Sequence, residues 1–309
     1  MRSHRYLDQV SLDNLHNGGD SQRAYTRLDL QATPRDTFRL NVMAGRSAFE
    51  LANLRSEHAL GVDARQSLAD LSAAVNWQRT LNPSTLWETT ASWRTSAADL
   101  LPGSVTGPST AWQARRLSTW TLWNRWSAVR GAHNFKAGID LQHFPMREAF
   151  ALADPAFRFY ASASGQLYSG FVQDQFRWRR FTFNGGVRFD AYRMLVRGSQ
   201  PQPRGGVSYQ LIEGKTVLRA AYNRLYQTPP NENLLIANSE AAARFFAPVL
   251  LERGVFRRIR PERQNFYELG LTQALGHGAS LALTYYHKQG LDQQDNNALF
   301  NTPIIFPTS

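Results

Sequence analysis

Cysteine is absent from all 309 residues. Its absence excludes disulfides, thiolate metal sites and cysteine nucleophiles, and suits a chain that crosses an oxidising compartment. Long apolar runs are missing too. No stretch of eighteen apolar residues occurs and mean hydropathy is −0.43, which excludes a membrane-spanning helix. It leaves a membrane barrel open, because barrel strands show lipid only every second side chain and average out polar. Chemical motifs are lacking as well. The seven histidines, His4, His16, His58, His133, His143, His277 and His287, stand in no metal-ligand spacing. No P-loop, GxGxxG or G-x-S-x-G elbow appears. The reading is therefore of a non-enzyme, with no catalytic, cofactor-binding or metal residue assigned and no cofactor expected.

Acidic residues are outnumbered, 24 against 35 Lys and Arg, for a net charge of +11. Nucleic-acid binders cluster basic residues on one face or in runs. Here arginine is spread one or two per strand-like segment, as in Arg27, Arg39, Arg79, Arg94, Arg188 and Arg219. The densest group, Arg253, Arg257, Arg258 and Arg260, lies in the longest loop. Arginines lining a polar lumen or meeting anionic lipopolysaccharide fit this spread, and nucleic acid does not. Gly185-Gly186 and Gly205-Gly206 read as bends or bulges inside strands, and Asp292 with Asp295 as part of a solvated loop, DQQDNN.

What is present is alternation. Phe38, Leu40, Val42 and Ala44 share one parity and Arg39, Asn41 and Met43 the other. Phe135, Ala137, Ile139 and Leu141 alternate with Lys136, Asp140 and Gln142 in the same way, as do Phe181, Phe183, Val187 and Phe189 with Thr182, Asn184, Arg188 and Asp190. Period two means one apolar and one polar wall per strand. About thirteen such stretches of roughly ten residues are visible, long enough for tilted strands to cross an apolar band of about 25 Å.

Their connections alternate too. Tight links near Thr33–Asp36, Asn82–Ser84, Val129–Ala132, Arg179–Arg180, Glu213–Lys215 and Gly276–Gly278 interleave with long ones. The long ones cover Asp13–Ser21, Ala48–Ser67, Ala97–Gln113, Pro145–Gly165, Met194–Gln202 and Gln227–Arg263. An up-and-down sheet puts every second connection at one end, and a transmembrane barrel sorts short turns from long loops in this manner. Trp126, Trp178 and Phe181 flank tight turns. Trp93, Phe144, Tyr192, Tyr222, Tyr226, Tyr285 and Tyr286 lie towards the long loops, as interfacial girdles would. Two segments resist. Leu117–Trp126 is apolar on both parities, and Asp174 falls on the parity of Val172, Phe176 and Trp178. Pairing with an arginine of a neighbouring strand, or a bulge, would accommodate Asp174.

FVQDQFRWRRFTFNGGVRFDAY (Phe171–Tyr192), PQPRGGVSYQL (Pro201–Leu211), GKTVLRAAYNRLYQTPP (Gly214–Pro230), PERQNFYELGLTQAL (Pro261–Leu275) and SLALTYYHKQ (Ser280–Gln289) resemble the recurring hairpins of TonB-dependent outer-membrane receptors. Asn17–Ser47 is similar in style. The resemblance implies an all-β fold, a transmembrane antiparallel up-and-down β-barrel, here partial, with about 13 of the family's 22 strands. It also implies that residues 1–309 are an internal part of the barrel, without the signal peptide, plug domain and C-terminal strands.

The implied function is energy-coupled uptake of a scarce nutrient (siderophore, vitamin, glycan or peptide) at the bacterial outer membrane. The implied partners are outer-membrane lipid and lipopolysaccharide, the plug and through it the TonB protein, and a substrate whose binding residues are not assigned. Arg27, Asp29, Arg39, Asn41, Lys136, Asp140, Arg188 and Asp190 are expected to line the inner wall, with Gln227–Arg263 meeting substrate outside. The alternatives are a plugless porin or adhesin barrel, or a secreted glycan-binding β-protein.

Overall fold

The computed structural model describes residues 2–4, 16, 18–51, 55–103, 105, 110–153, 156–229, 234–242, 244, 260–293, 295–298 and 305–308. Its main body is one thirteen-stranded sheet in strict sequence order, every neighbour antiparallel. The strands are β1 (Arg2–His4), β2 (Gly18–Gln31), β3 (Asp36–Glu50), β4 (Arg65–Asn82), β5 (Thr85–Leu101), β6 (Ala111–Arg130) and β7 (His133–Leu152). They continue with β8 (Phe157–Trp178), β9 (Phe181–Arg193), β10 (Arg197–Ile212), β11 (Thr216–Gln227), β12 (Glu262–Gly276) and β13 (Ala279–Leu291). Two short helical turns, α1 (Arg55–Ala59) and α2 (Leu234–Ala237), sit in long connections. β14 (Asp295–Ala298) and β15 (Ile305–Thr308) form a separate ribbon. Among the described residues the large sheet does not close, since β13 pairs only with β12.

Register assigns the faces. Arg27 pairs with Asn41 and Asp29 with Arg39, and those two with Ala74 and Asn76. Asn76 pairs with Thr90, Thr90 with Trp123, Trp123 with Asp140, Asp140 with Ser169, and Ser169 with Asp190. Cα partners share a face, so this polar row occupies one side of the sheet. Leu28, Val75, Leu122, Ile139, Val172, Val187, Leu218 and Leu269 occupy the other and are 40–59% exposed. A continuous apolar face this open is what hydrocarbon would cover. The polar face is concave: α2 follows β11 yet packs on β7 and β8, a reach across the sheet that only a curled sheet allows.

From β2 to β13 the strands are longer than the ten-residue estimate, running from 12 residues in β11 to 22 in β8. Pro145–Gly165 and Met194–Gln202 are consequently not loops. They are mostly strand, joined across residues 153–156 and 194–196. The pairing runs on past the apolar band because an extended hairpin satisfies its own backbone in water as well as in lipid. The tight links fall where the sequence places them, several on positive-φ residues such as Arg179, Gly214 and Gly278. Gly185 and Gly205 are direct partners in unbroken register. The register shifts lie instead beside turns, at Thr80/Asn82, Gln210/Ile212 and Ala274/Gly276. Asn296 and Asn297, read as solvated loop, belong to β14. Arg253, Arg257 and Arg258 lie outside the described residues.

Both resistant segments are regular. In β6, Leu117 and Trp123 face inward, while Trp120 and Leu122 face outward. Asp174 needs neither a bulge nor an arginine. It meets the ring of His133 at 2.6 Å and accepts the Asn134 amide at 3.2 Å, beside the tight turn. The girdle reading holds for Trp126, Trp178 and Phe181, and for Trp93, which packs on Trp120 at 5.8 Å. It fails for Phe144, Tyr192 and Tyr286, whose parity turns them inward.

Ile139→Arg, outward at mid-strand, is expected to lose roughly 2–4 kcal/mol of stability in bilayers, whereas Gln142→Arg on the inner face of the same strand stays near wild type. Urea unfolding in liposomes measures both, and equal losses would refute the face assignment.

Candidate functional site

Among the described residues the inner wall gathers the largest buried polar clusters, and it is tiered. At mid-height Arg188 bridges two strands of acid: Nε meets Asp190 at 2.8 Å and Nη1 meets Asp140 at 3.3 Å. Gln202 donates to the second oxygen of Asp190, and Gln200 to the Leu225 carbonyl at 3.1 Å. Asp140, Ser169, Asp190, Gln200 and Gln202 are all buried. A second patch at the sheet's other side joins Arg27 and Arg39 to Asp29 at 2.7 and 2.8 Å, with the Tyr25 hydroxyl donating to Asn41. Of the eight residues expected on the inner wall, all face inward, but they form these two groups rather than one. Lys136 stands apart. It lines a groove of about 670 Å³ with Arg125, Arg204 and Glu88 towards the tight-turn end.

Above the mid-height cluster the wall becomes apolar. Phe144 stacks on Tyr192 at 5.9 Å and lies flat over Gly165, where an added Cβ would sit 1.9 Å from the ring. No other residue type fits at that position without displacing Phe144. Higher still, α2 covers part of the inner face: Leu234 and Leu235 pack on Met146, and Ile236 on Leu100, Phe150 and Leu152. The described residues 234–242 of the longest connection thus turn into the lumen rather than outward.

Glu148 anchors this cap. It rises from β7 beyond the apolar band, opposite Arg115 on β6, and its Oε2 accepts the Ile236 amide at 3.0 Å. The amides of the first turn of a helix lack intrahelical partners, so a carboxylate there satisfies groups that burial would otherwise strand. Burial nevertheless wins for the carboxyl itself. It pushes Glu148 up to about 7, against the downward pull of the Ile236, Leu235 and Leu234 amides and of Arg115. Sequence reasoning did not single out Glu148, and it placed Phe144 and Tyr192 in the outward girdle rather than on the inner wall. The signal was there in β7. Past His143 the inward parity switches from Lys136, Asp140 and Gln142 to Phe144, Met146, Phe150 and Leu152, a run needing a cover, with Glu148 its one charge.

Among the described residues no group of three or more His, Asp or Glu gathers to hold a metal ion. The described wall is ion-paired at mid-height and covered above by the apolar residues of α2.

The profile of the family described as TonB dependent receptor-like, beta-barrel, matches residues 3–306. The sequence has no match among curated proteins. Solved structures share the architecture at low identity. The outer membrane transporter YddB from Escherichia coli gives a TM-score of 0.67 at 12% identity, over 94% of this chain and 43% of that one. The ferric enterobactin receptor PfeA of Pseudomonas aeruginosa gives 0.68 at 13%, over 95% and 46%. The alcaligin outer membrane receptor FauA of Bordetella pertussis gives 0.62 at 11%, over 91% and 45%. The chain spans about half the length of these structures or less.

Two outcomes are expected. Arg188→Met strands two inward carboxylates and should cost roughly 2–3 kcal/mol, less than a fully buried pair because Arg188 is partly exposed, with Asp140→Asn restoring part of the loss in urea titrations. For Glu148, the docked state holds the proton more tightly than a water-exposed carboxyl of ordinary pKa near 4.3. Docking is therefore firmest below that value and weakens as pH rises through about 7. Hydrogen-exchange protection factors across residues 234–242, with the intrinsic rise of exchange with pH divided out, should fall between pH 5 and pH 8 in the wild type and not in Glu148→Gln.

Proposed function

Because the chain belongs to the TonB-dependent receptor-like β-barrel family, we propose that it forms the substrate-facing wall of a receptor importing a scarce nutrient with energy supplied through TonB. It is a wall of the bacterial outer membrane, and its role is transport rather than catalysis. The observation that carries the reading is the two-faced sheet in unbroken register, with open apolar side chains outside and ion-paired side chains inside. An inner wall of paired charges requires water or a polar occupant within, which supports a plug domain supplied by the remainder of the full-length protein. The α2 cap, folded onto the concave side, favours gated passage over a passive pore because it narrows the mouth.

Structural neighbours are named for diverse cargoes, among them ferric enterobactin, ferric citrate and copper. We infer a cargo held from above by the loops and reached through the lumen, of siderophore, vitamin, glycan or peptide class. Expressed in full length, the protein should fractionate with the outer membrane, migrate faster on gels before heating than after, and photo-crosslink to the periplasmic part of TonB. Recovery in the soluble periplasm would end the membrane reading, and an outer-membrane protein that never crosslinks to TonB would end the energy-coupled one.

A further inference from the structure

We propose that the wall beneath α2 is a binding site for an apolar, amide-bearing cargo of peptide class, and that α2 occupies it as a built-in stand-in for that cargo. The inference rests on the reading of the chain as an uptake receptor. It goes beyond that reading in naming the cargo chemistry and the residues that meet it. Met146, Glu148 and Phe150 share the inward parity of β7. Alternate residues on a strand stand about 6.8 Å apart, so the row spans about 14 Å, the length of roughly four extended residues. Leu234 and Leu235 pack on Met146, with Leu117 and Phe159 around them, and Ile236 packs on Phe150 and Leu152. The three α2 side chains are at most 5% exposed. Two sockets for branched aliphatic groups therefore flank a single carboxyl group.

That carboxyl group is half used. Its Oε2 accepts the Ile236 amide at 3.0 Å, while Oε1 is buried with no hydrogen-bond partner among the described residues. Glu148 as a whole is 2% exposed, and a buried polar atom left bare is costly. The site suits an occupant with one more polar group than α2 presents. Whether Oε1 is bare or carries the proton, a peptide unit answers it, with N–H in one case and C=O in the other. A peptide laid along the row also brings side chains to both sockets. A glycan offers hydroxyls without branched aliphatic groups, and an anionic chelate brings acceptors alone. The cap is free to give way, because its other hydrogen bonds travel with it. The Asn238 side-chain amide donates to the Leu234 carbonyl at 2.9 Å, and the Ser239 N–H to the Ile236 carbonyl at 3.0 Å. A competing peptide has to replace the Glu148 contact and the apolar burial, and it carries the groups for both.

Calorimetric titration of the full-length protein with acetyl-Leu-Leu-Ile-Ala-amide, the sequence of α2 itself, tests this. The double variant Leu234→Asp, Ile236→Asp, which evicts the cap from its sockets, should bind the probe at least about tenfold more tightly than wild type, since a tethered competitor acts at high local concentration. Methylating the isoleucine amide of the probe should weaken binding about tenfold, and Glu148→Ala should erase that difference between the two probes. In the wild type, where no variant has to fold, saturating probe should lower the hydrogen-exchange protection of residues 234–242. Equal affinity in the cap variant and wild type overturns the site. So does a methylated probe bound as well as the plain one, cap protection unmoved by bound probe, or maltoheptaose bound as tightly as the peptide. Recovery of the protein in the soluble periplasm would take down the receptor reading, whereas an outer-membrane protein indifferent to the probe refutes this inference alone.

Discussion

Every backbone amide and carbonyl at membrane depth has to find its partner inside the protein, because hydrocarbon offers none. A sheet answers that demand only if each strand stays paired along its whole crossing. From β2 to β13 the antiparallel ladders keep constant register through the apolar band, and the shifts that occur lie beside tight turns, where water can satisfy a loose group. Constant register has a second consequence. With side chains alternating strictly, one pairing fixes which residues face lipid for every strand that follows. The open Leu, Ile and Val face and the ion-paired inner face are two results of the same constraint.

The inner wall then solves a different problem. Charges facing a lumen cannot be left bare in a partly dry interior, and Arg188 with Asp140 and Asp190, or Arg27 and Arg39 with Asp29, settle into locally neutralised sets. Higher up, where strands outrun the membrane, hydrophobic burial takes over. Phe144, Tyr192, Met146 and Phe150 are covered by α2, and Glu148 ties that cap to the wall through backbone amides. The height at which polar lining gives way to apolar lining is therefore also the height at which α2 covers the inner face.

Much of this was legible before any coordinate. The parity of Phe38 to Ala44, or of Phe135 to Leu141, marks the lipid face because a strand's side chains alternate regardless of what it pairs with. The positions of the tight links follow from short polar or glycine-bearing segments between such runs. Loop lengths were less legible. Pro145–Gly165 carries a proline, glycine and many small polar residues, and local composition pointed to a loop, yet β7 and β8 pair straight through it, since Pro145 gives up one amide on the ladder with β6 while the ladder with β8 stays continuous. The girdle assignment erred where ring type was weighed ahead of parity, as for Phe144 and Tyr192.

The sequence alone determined what each strand does by itself: its apolar and polar walls, its approximate place in the order, and the turns between strands. Those depend on periods of two and on local backbone preference, which a chain carries in its own covalent order. The tertiary structure decided which charges meet, that Asp174 finds His133 rather than an arginine, and that a segment after β11 returns to cap β7 and β8. Each of those outcomes depends on the stagger between strands and the curl of the sheet. Both quantities arise only when many ladders are closed at once, and no single segment contains them.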